Sequence, residues 1–232
     1  MGVSMKGFLI QGISEIDWSY SQRQLLSIAG LLFWLWLIWP TDEFKALVKD
    51  KQKQTQVLIA AIALNSLWLI NASLVQGIHV HFLGLVVLML MYGWRMATVI
   101  AILPVLFFST FIFKQPFEFG IYGLLAIALP LFLCFAVYSQ VFKYLPHHFL
   151  VYIFCGAFIN AFLSILFHIL SWSSWLWLTT DYDWAFLSDN YLLLIPLLGF
   201  PEALLNGMAV TLLVVYRPQW LYDYSDRTYF NR

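Results

Sequence analysis

The chain has 232 residues, 62% of them hydrophobic and only 10% charged, with no formal net charge and a mean hydropathy of +0.81. Soluble globular chains carry about 25% charged residues, so a soluble main body is excluded. A neutral chain also lacks the basic footprint that nucleic acid requires.

Taken in order, the chain reads as a single integral membrane domain over 1–232. Residues 1–23 form an external N-terminal segment. Lys6, Glu15, Asp17 and Arg23 leave its apolar pieces too short for a signal peptide. The first apolar segment covers about 24–40 and ends at Pro40. A loop with Lys45, Lys49, Lys51 and Lys53 follows, suited to anionic lipid. The second segment spans about 56–75, the third, a short one, about 79–93, and the fourth about 96–113. The fifth covers about 119–142, the sixth about 148–170 and the seventh about 190–216. Backbone amides in lipid need internal partners, and the runs lack period-2 alternation, so they are expected to be helices. The fold class is therefore all-α: a polytopic membrane helical bundle of about seven transmembrane helices. Residues 217–232 form the tail.

Lys and Arg in short connections set the orientation. Nine lie on the side of the lysine loop and the tail, and three lie opposite. The tail is therefore cytoplasmic and the N-terminus outside. Glu15, Asp17, Glu118, Asp181, Asp183 and Asp189 all fall on the outer side, which gives the mouth a cation-attracting charge. Between segments six and seven, Trp172, Trp175, Trp177, Tyr182 and Trp184 read as a short interfacial helix.

Small residues one turn apart, Ala97 with Ala101 and Ala157 with Ala161, allow helices to approach closely. They suit either packing within the bundle or docking of a membrane subunit. Cys134 and Cys155 fall in apolar runs and read as free buried thiols.

The ionisable residues inside apolar spans are the functional candidates. The third segment opens Gly77-Ile78-His79-Val80-His81-Phe82-Leu83-Gly84. The seventh carries Pro196, Gly199, Pro201, Glu202, Asn206 and Gly207, a pattern expected to kink the helix and line a transport site. Glu202 and Asn206 share a face. Imidazole with carboxylate suits a borderline metal ion. Candidate metal ligands are His81, His79, Glu202 and His168, with Asn206 and Asn65 lining a cavity. His79 and His81 reach one ion only if the chain is extended there. No HExxH, no nucleophile turn and no Walker-type phosphate loop is present, so an enzyme is not expected and an ATP-driven step needs a separate subunit. An accessory or scaffold protein for a metalloprotein or membrane complex is the alternative.

Several of these elements, in this order, resemble one family. They are His81-Phe82-Leu83-Gly84, the Gly93 turn with Arg95 and Ala97, Pro130, and Pro146 with Phe149, Val151 and Tyr152. The last is Pro201-Glu202-Ala203 followed by Asn206-Gly207-Met208 and Arg217-Pro218. The chain resembles the cobalt/nickel-type substrate-capture component of energy-coupling factor transporters, in a proteobacterial branch. The resemblance implies a multi-pass protein of the bacterial inner membrane. It implies Ni²⁺ or Co²⁺ as substrate, with no tightly bound cofactor. Its expected partners are lipid, a transmembrane coupling subunit and cytoplasmic ATPases. In that family an N-terminal amine, a histidine after Met1 and an internal histidine hold the metal. The internal one corresponds to His81, or to His79. Near Met1 this chain has Lys6 and no histidine.

Overall fold

The computed structural model describes residues 20–75 and 78–225. The readings made for Lys6, Glu15 and Asp17 lie outside the described residues.

Helix α1 (Tyr20–Leu37) is followed by a short amphipathic helix, α2 (Thr41–Lys49). Pro40, which cannot continue a helix, lies between them and is the N-cap residue of α2. Helix α3 (Lys51–Trp68) starts where the Asp50 carboxylate accepts from the amides of Gln52 and Lys53. The segment expected as a helix to residue 75 stops early. The Asn71 side chain donates to the carbonyls of Trp68 and Leu69, and the chain turns into strand β1 (Asn71–Val75). Strand β2 (Ile78–His81) pairs with it antiparallel. This hairpin corrects the all-helical reading of 79–93. Ile78 and Val80 are β-branched and alternate with the histidines, which suits a pleated strand.

Among the described residues, four helices are long and apolar enough to cross a membrane: α4 (Leu85–Ile112), α5 (Pro116–Tyr144), α6 (Phe149–Thr179) and α7 (Trp184–Tyr216). The pair at 22–37 and 41–49, bent by 78°, makes a fifth if it counts as one span. The chain is an all-α polytopic membrane bundle apart from its hairpin.

Helix α4 is not a straight rod. A straight helix of its length would hold its ends about 40 Å apart. Yet Phe113, just past its end, stacks on His79, just before its start, at 4.2 Å. Trp68 likewise touches both His81 and Phe108, at 4.7 and 5.6 Å. The chain must double back between, and Gly93 is where it does so, with φ 74° and ψ 154°. Residues 85–92 and 94–112 are therefore two arms joined at the turn expected there. A Cβ on Gly93 would meet only the Tyr222 ring at 3.6 Å, an ordinary contact. The constraint is thus the backbone angle. Gly93→Ala is expected to cost about 1–3 kcal/mol, measured as loss of thermal stability in detergent.

The prolines and glycines of the seventh segment do not interrupt its helix: residues 195–216 run as one helix with Pro201 inside it. A 3₁₀ turn at Leu192–Leu194 joins it to the helical residues Trp184–Asn190. The helix has two faces. Leu197, Phe200, Leu204, Met208, Leu212 and Val215 are exposed, at the spacing of a lipid-facing stripe. Gly199, Glu202, Ala203, Asn206, Val210 and Val214 face the bundle. Ala97, Ala101, Ala157 and Ala161 have no exposed surface. The close approach they allow is therefore between helices of this chain, and a separate subunit cannot reach them. The tryptophan-rich stretch is also reassigned. Trp172, Trp175 and Trp177 belong to the last turns of α6, and Trp184 opens α7.

At the end opposite the hairpin the tail folds back. The Tyr222 amide donates to the Leu90 carbonyl at 2.8 Å. Burial raises the neighbouring Asp223 carboxyl pKa, and the Tyr138 hydroxyl partly offsets this. Asp223 and Arg95 share a cleft of about 250 Å³ there.

Candidate functional site

The hairpin delivers two histidines to the bundle. In a strand, residues two apart share a face, so His79 and His81 point the same way. The extended chain required for joint action is present. Their surroundings differ, however. His79 is half-buried and stacks on Phe113. His81 is buried against Trp68, whose indole N–H donates to the Leu83 carbonyl at 3.1 Å and pins the strand's exit.

His81 meets two further groups. Its Nε2 lies 2.6 Å from the Tyr122 hydroxyl, and its Nδ1 lies 2.9 Å from the Phe82 carbonyl. A carbonyl only accepts, so Nδ1 carries the hydrogen and Nε2 accepts from Tyr122. The His168 ring stands edge-on to His81 with centroids 5.9 Å apart. Its Nδ1 donates to the Ala126 carbonyl at 2.8 Å, which makes Nε2 the nitrogen that carries the lone pair. Ala126 lies in the π-helical stretch Tyr122–Ala128 of α5, and Ser171 donates to Leu125 in the same stretch. Such wide turns recur at functional sites. Two imidazoles and a phenol thus meet from β2, α5 and α6. Among the described residues no three His, Cys, Asp or Glu side chains are grouped as a metal site. The third polar member here is a tyrosine.

Glu202 is close by but otherwise engaged. Its Oε2 accepts from the Leu83 amide at 2.9 Å and its Oε1 from the Gly84 amide at 2.7 Å. The Asn206 side chain donates to Oε1 at 2.8 Å and accepts from the Val87 amide at 3.0 Å. The start of α4 needs these partners. Gly84, its N-cap residue, has φ 64°, a left-handed conformation suited to glycine, and brings no side chain to accept from the first amides. A carboxylate and an amide from α7 take that place. A negative group is favoured at a helix N-terminus. The expected ligand is therefore a cap on the segment that follows His81. The structure brings His81 and His168 together and sets Glu202 two residues further along the same strand exit.

The remaining candidates separate from this cluster. Asn65 donates to the Ala61 carbonyl of its own helix at 3.0 Å. Asn160 links α6 to α5 by donating to the Cys134 carbonyl at 3.0 Å. Cys134 and Cys155 are free thiols.

Two participants escaped the sequence reading, because a tyrosine in an apolar run looks like one more large side chain. Tyr122 is one. Tyr191 is the other: it is fully buried, and its hydroxyl has no hydrogen-bond partner. A buried unpaired hydroxyl costs stability. Tyr191→Phe is expected to gain about 1 kcal/mol in thermal unfolding. A loss instead would mean that the hydroxyl is held.

Two cavities lead toward the cluster from the hairpin end. A cleft of about 490 Å³ is bounded by α1, α5 and α6, with Arg23, Glu118, Trp172 and Asp181 in its wall. A small cavity of about 20 Å³ adjoins it and shares Gln115, Glu118 and Trp172. The small cavity also touches His79 and Tyr122. Trp172 packs edge-on against Tyr122 at 5.2 Å.

The comparisons with known proteins agree with this architecture. The model of a family described as a cobalt uptake substrate-specific transmembrane region matches residues 22–220. A solved crystal structure of a truncated transition metal transporter superposes with a TM-score of 0.65 at 17% identity, covering 84% of this chain and 94% of that one. At that identity the likeness shows the fold. No curated protein matches the chain.

Proposed function

Because this chain belongs to the cobalt uptake substrate-specific transmembrane family, we propose that it captures a divalent ion of the cobalt/nickel class as its substrate. Capture takes place at the His81–Tyr122–His168 cluster. The family is one of membrane components for metal uptake, which points to transport rather than catalysis. The observation that carries the reading is the pair of imidazoles with both Nδ1 atoms donating to carbonyls. Such second partners orient a ligating histidine and direct its Nε2 to the ion. Imidazole suits cobalt and nickel.

An ion arriving through the cleft passes Glu118 and His79 and displaces the Tyr122 hydroxyl from His81. The lysine loop and tail face the cytoplasm of a bacterial inner membrane, and the hairpin end faces out. With no phosphate loop in the sequence, a transmembrane coupling subunit and ATPases supply the energy.

The test is cobalt accumulation in cells expressing the chain with its coupling subunits. Uptake is expected to stand well above cells lacking it and to fall to that background with His81→Ala. Accumulation unaffected by His81→Ala removes the proposal.

A further inference from the structure

Pro130 stands inside α5, where a proline is costly, and it is buried in the bundle. It changes the turn before it in two ways. It offers no N–H, and its ring crowds the carbonyl four residues earlier, that of Ala126. Residues 122–128 take the wider π form, and the Leu129 amide reaches back to the Leu124 carbonyl. The next amide in that ladder would be that of residue 130. It would serve Leu125 at the π spacing or Ala126 at the α spacing. In proline it does not exist.

These are the two carbonyls that α6 takes over. Ser171 Oγ donates to Leu125 at 2.6 Å, and His168 Nδ1 donates to Ala126 at 2.8 Å. Ser171 also donates to the carbonyl of His168 itself at 3.0 Å, which ties the two side chains to one turn of α6. A carbonyl left unpaired in the interior is costly, so each holds the side chain that satisfies it. For His168 that partner decides which ring nitrogen carries the hydrogen. Tyr122, whose hydroxyl meets His81, opens the same widened stretch.

We infer that Pro130 is a positioning residue for metal capture: by withholding an amide, it gives His168 the carbonyl that turns Nε2 toward the ion. The inference rests on the proposed capture at His81 and His168. Pro130→Ala restores the amide. The ladder then closes, the wide turn relaxes toward an α-helix, and Nδ1 loses its sole claim on Ala126. Stability should hold or rise, because proline disfavours a helix interior. Binding should fall, because the ring is no longer oriented. These opposite directions separate positioning from packing.

The experiment measures cobalt binding by the full chain in lipid nanodiscs, by equilibrium dialysis and by the visible spectrum of bound Co²⁺, which reports its coordination geometry. Pro130→Ala is expected to weaken binding on the order of tenfold, the lower end for loss of an orienting partner. It should also alter the spectrum, with no loss of thermal stability. Ser171→Ala, which unpairs Leu125 alone, is expected to weaken binding less. Pro104→Ala, the same change inside α4, is expected to leave affinity and spectrum as they are. Combined with His168→Ala, Pro130→Ala should add nothing, because its effect runs through that ring. Wild-type affinity and spectrum in Pro130→Ala, or a full further loss on top of His168→Ala, overturns the inference and leaves metal capture standing. If Pro130→Ala does not fold, a Ser171→Ala variant that binds and absorbs as wild type overturns it equally. A wild-type chain that binds no cobalt overturns both.

Discussion

Replacing His168 by alanine is expected to weaken cobalt binding on the order of 100-fold, the upper end of what loss of an orienting partner alone produces. His81→Ala should do the same, and the double variant little more, because the two imidazoles act on one ion. Equilibrium dialysis of the purified protein measures this. The fold should survive both changes. His168 loses one hydrogen bond to a carbonyl that already belongs to a helix, and His81 sits on a strand pinned by Trp68. A His168 variant that binds cobalt normally would reduce the site to His81 and dissolve the cluster. Equal affinity for His79→Ala and wild type is expected, since the His79 ring is stacked on Phe113 while the His168 ring meets His81.

Removing the Glu202 carboxylate should damage the fold more than the binding chemistry. Glu202→Ala leaves the Leu83 and Gly84 amides without acceptors inside the bundle. Each buried unpaired group costs about 1–3 kcal/mol, so the loss is expected near 4 kcal/mol. Asn206→Ala removes the acceptor of one amide, Val87, and should cost less. Chemical unfolding in detergent measures both. If Glu202→Gln keeps full stability while cobalt binding disappears, then the carboxylate serves the ion and the capping role is wrong.

Much of this was legible in the sequence, for a physical reason. Charge is so costly in lipid that His81, His168 and Glu202 stand out against the apolar background. The lysine loop, the Gly93 turn and the outlines of α5, α6 and α7 were visible for the same reason. What the letters hid was partnership. Glu202 bonds to backbone amides, and an amide has no letter of its own. It looked like a ligand because the left-handed Gly84 that leaves a helix start uncapped cannot be seen without coordinates. The hairpin was missed because Ile78 and Val80 in a hydrophobic context read equally well as helix. Prolines in the seventh segment promised a break. Pro196 stands in its first turn, where the missing N–H is harmless, and the helix absorbs Pro201. Tyr122 was passed over because only its contact with His81 distinguishes it among the chain's twelve tyrosines.

Residues 85–92 are held at both ends by the same stretch of chain. Glu202 and Asn206 fasten the beginning, and the Tyr222 amide fastens Leu90 near the other end. This short arm, about 12 Å long, is therefore a tie-rod bolted to α7 and its tail. Whatever tugs on the strand beside it reaches the opposite membrane surface with little slack.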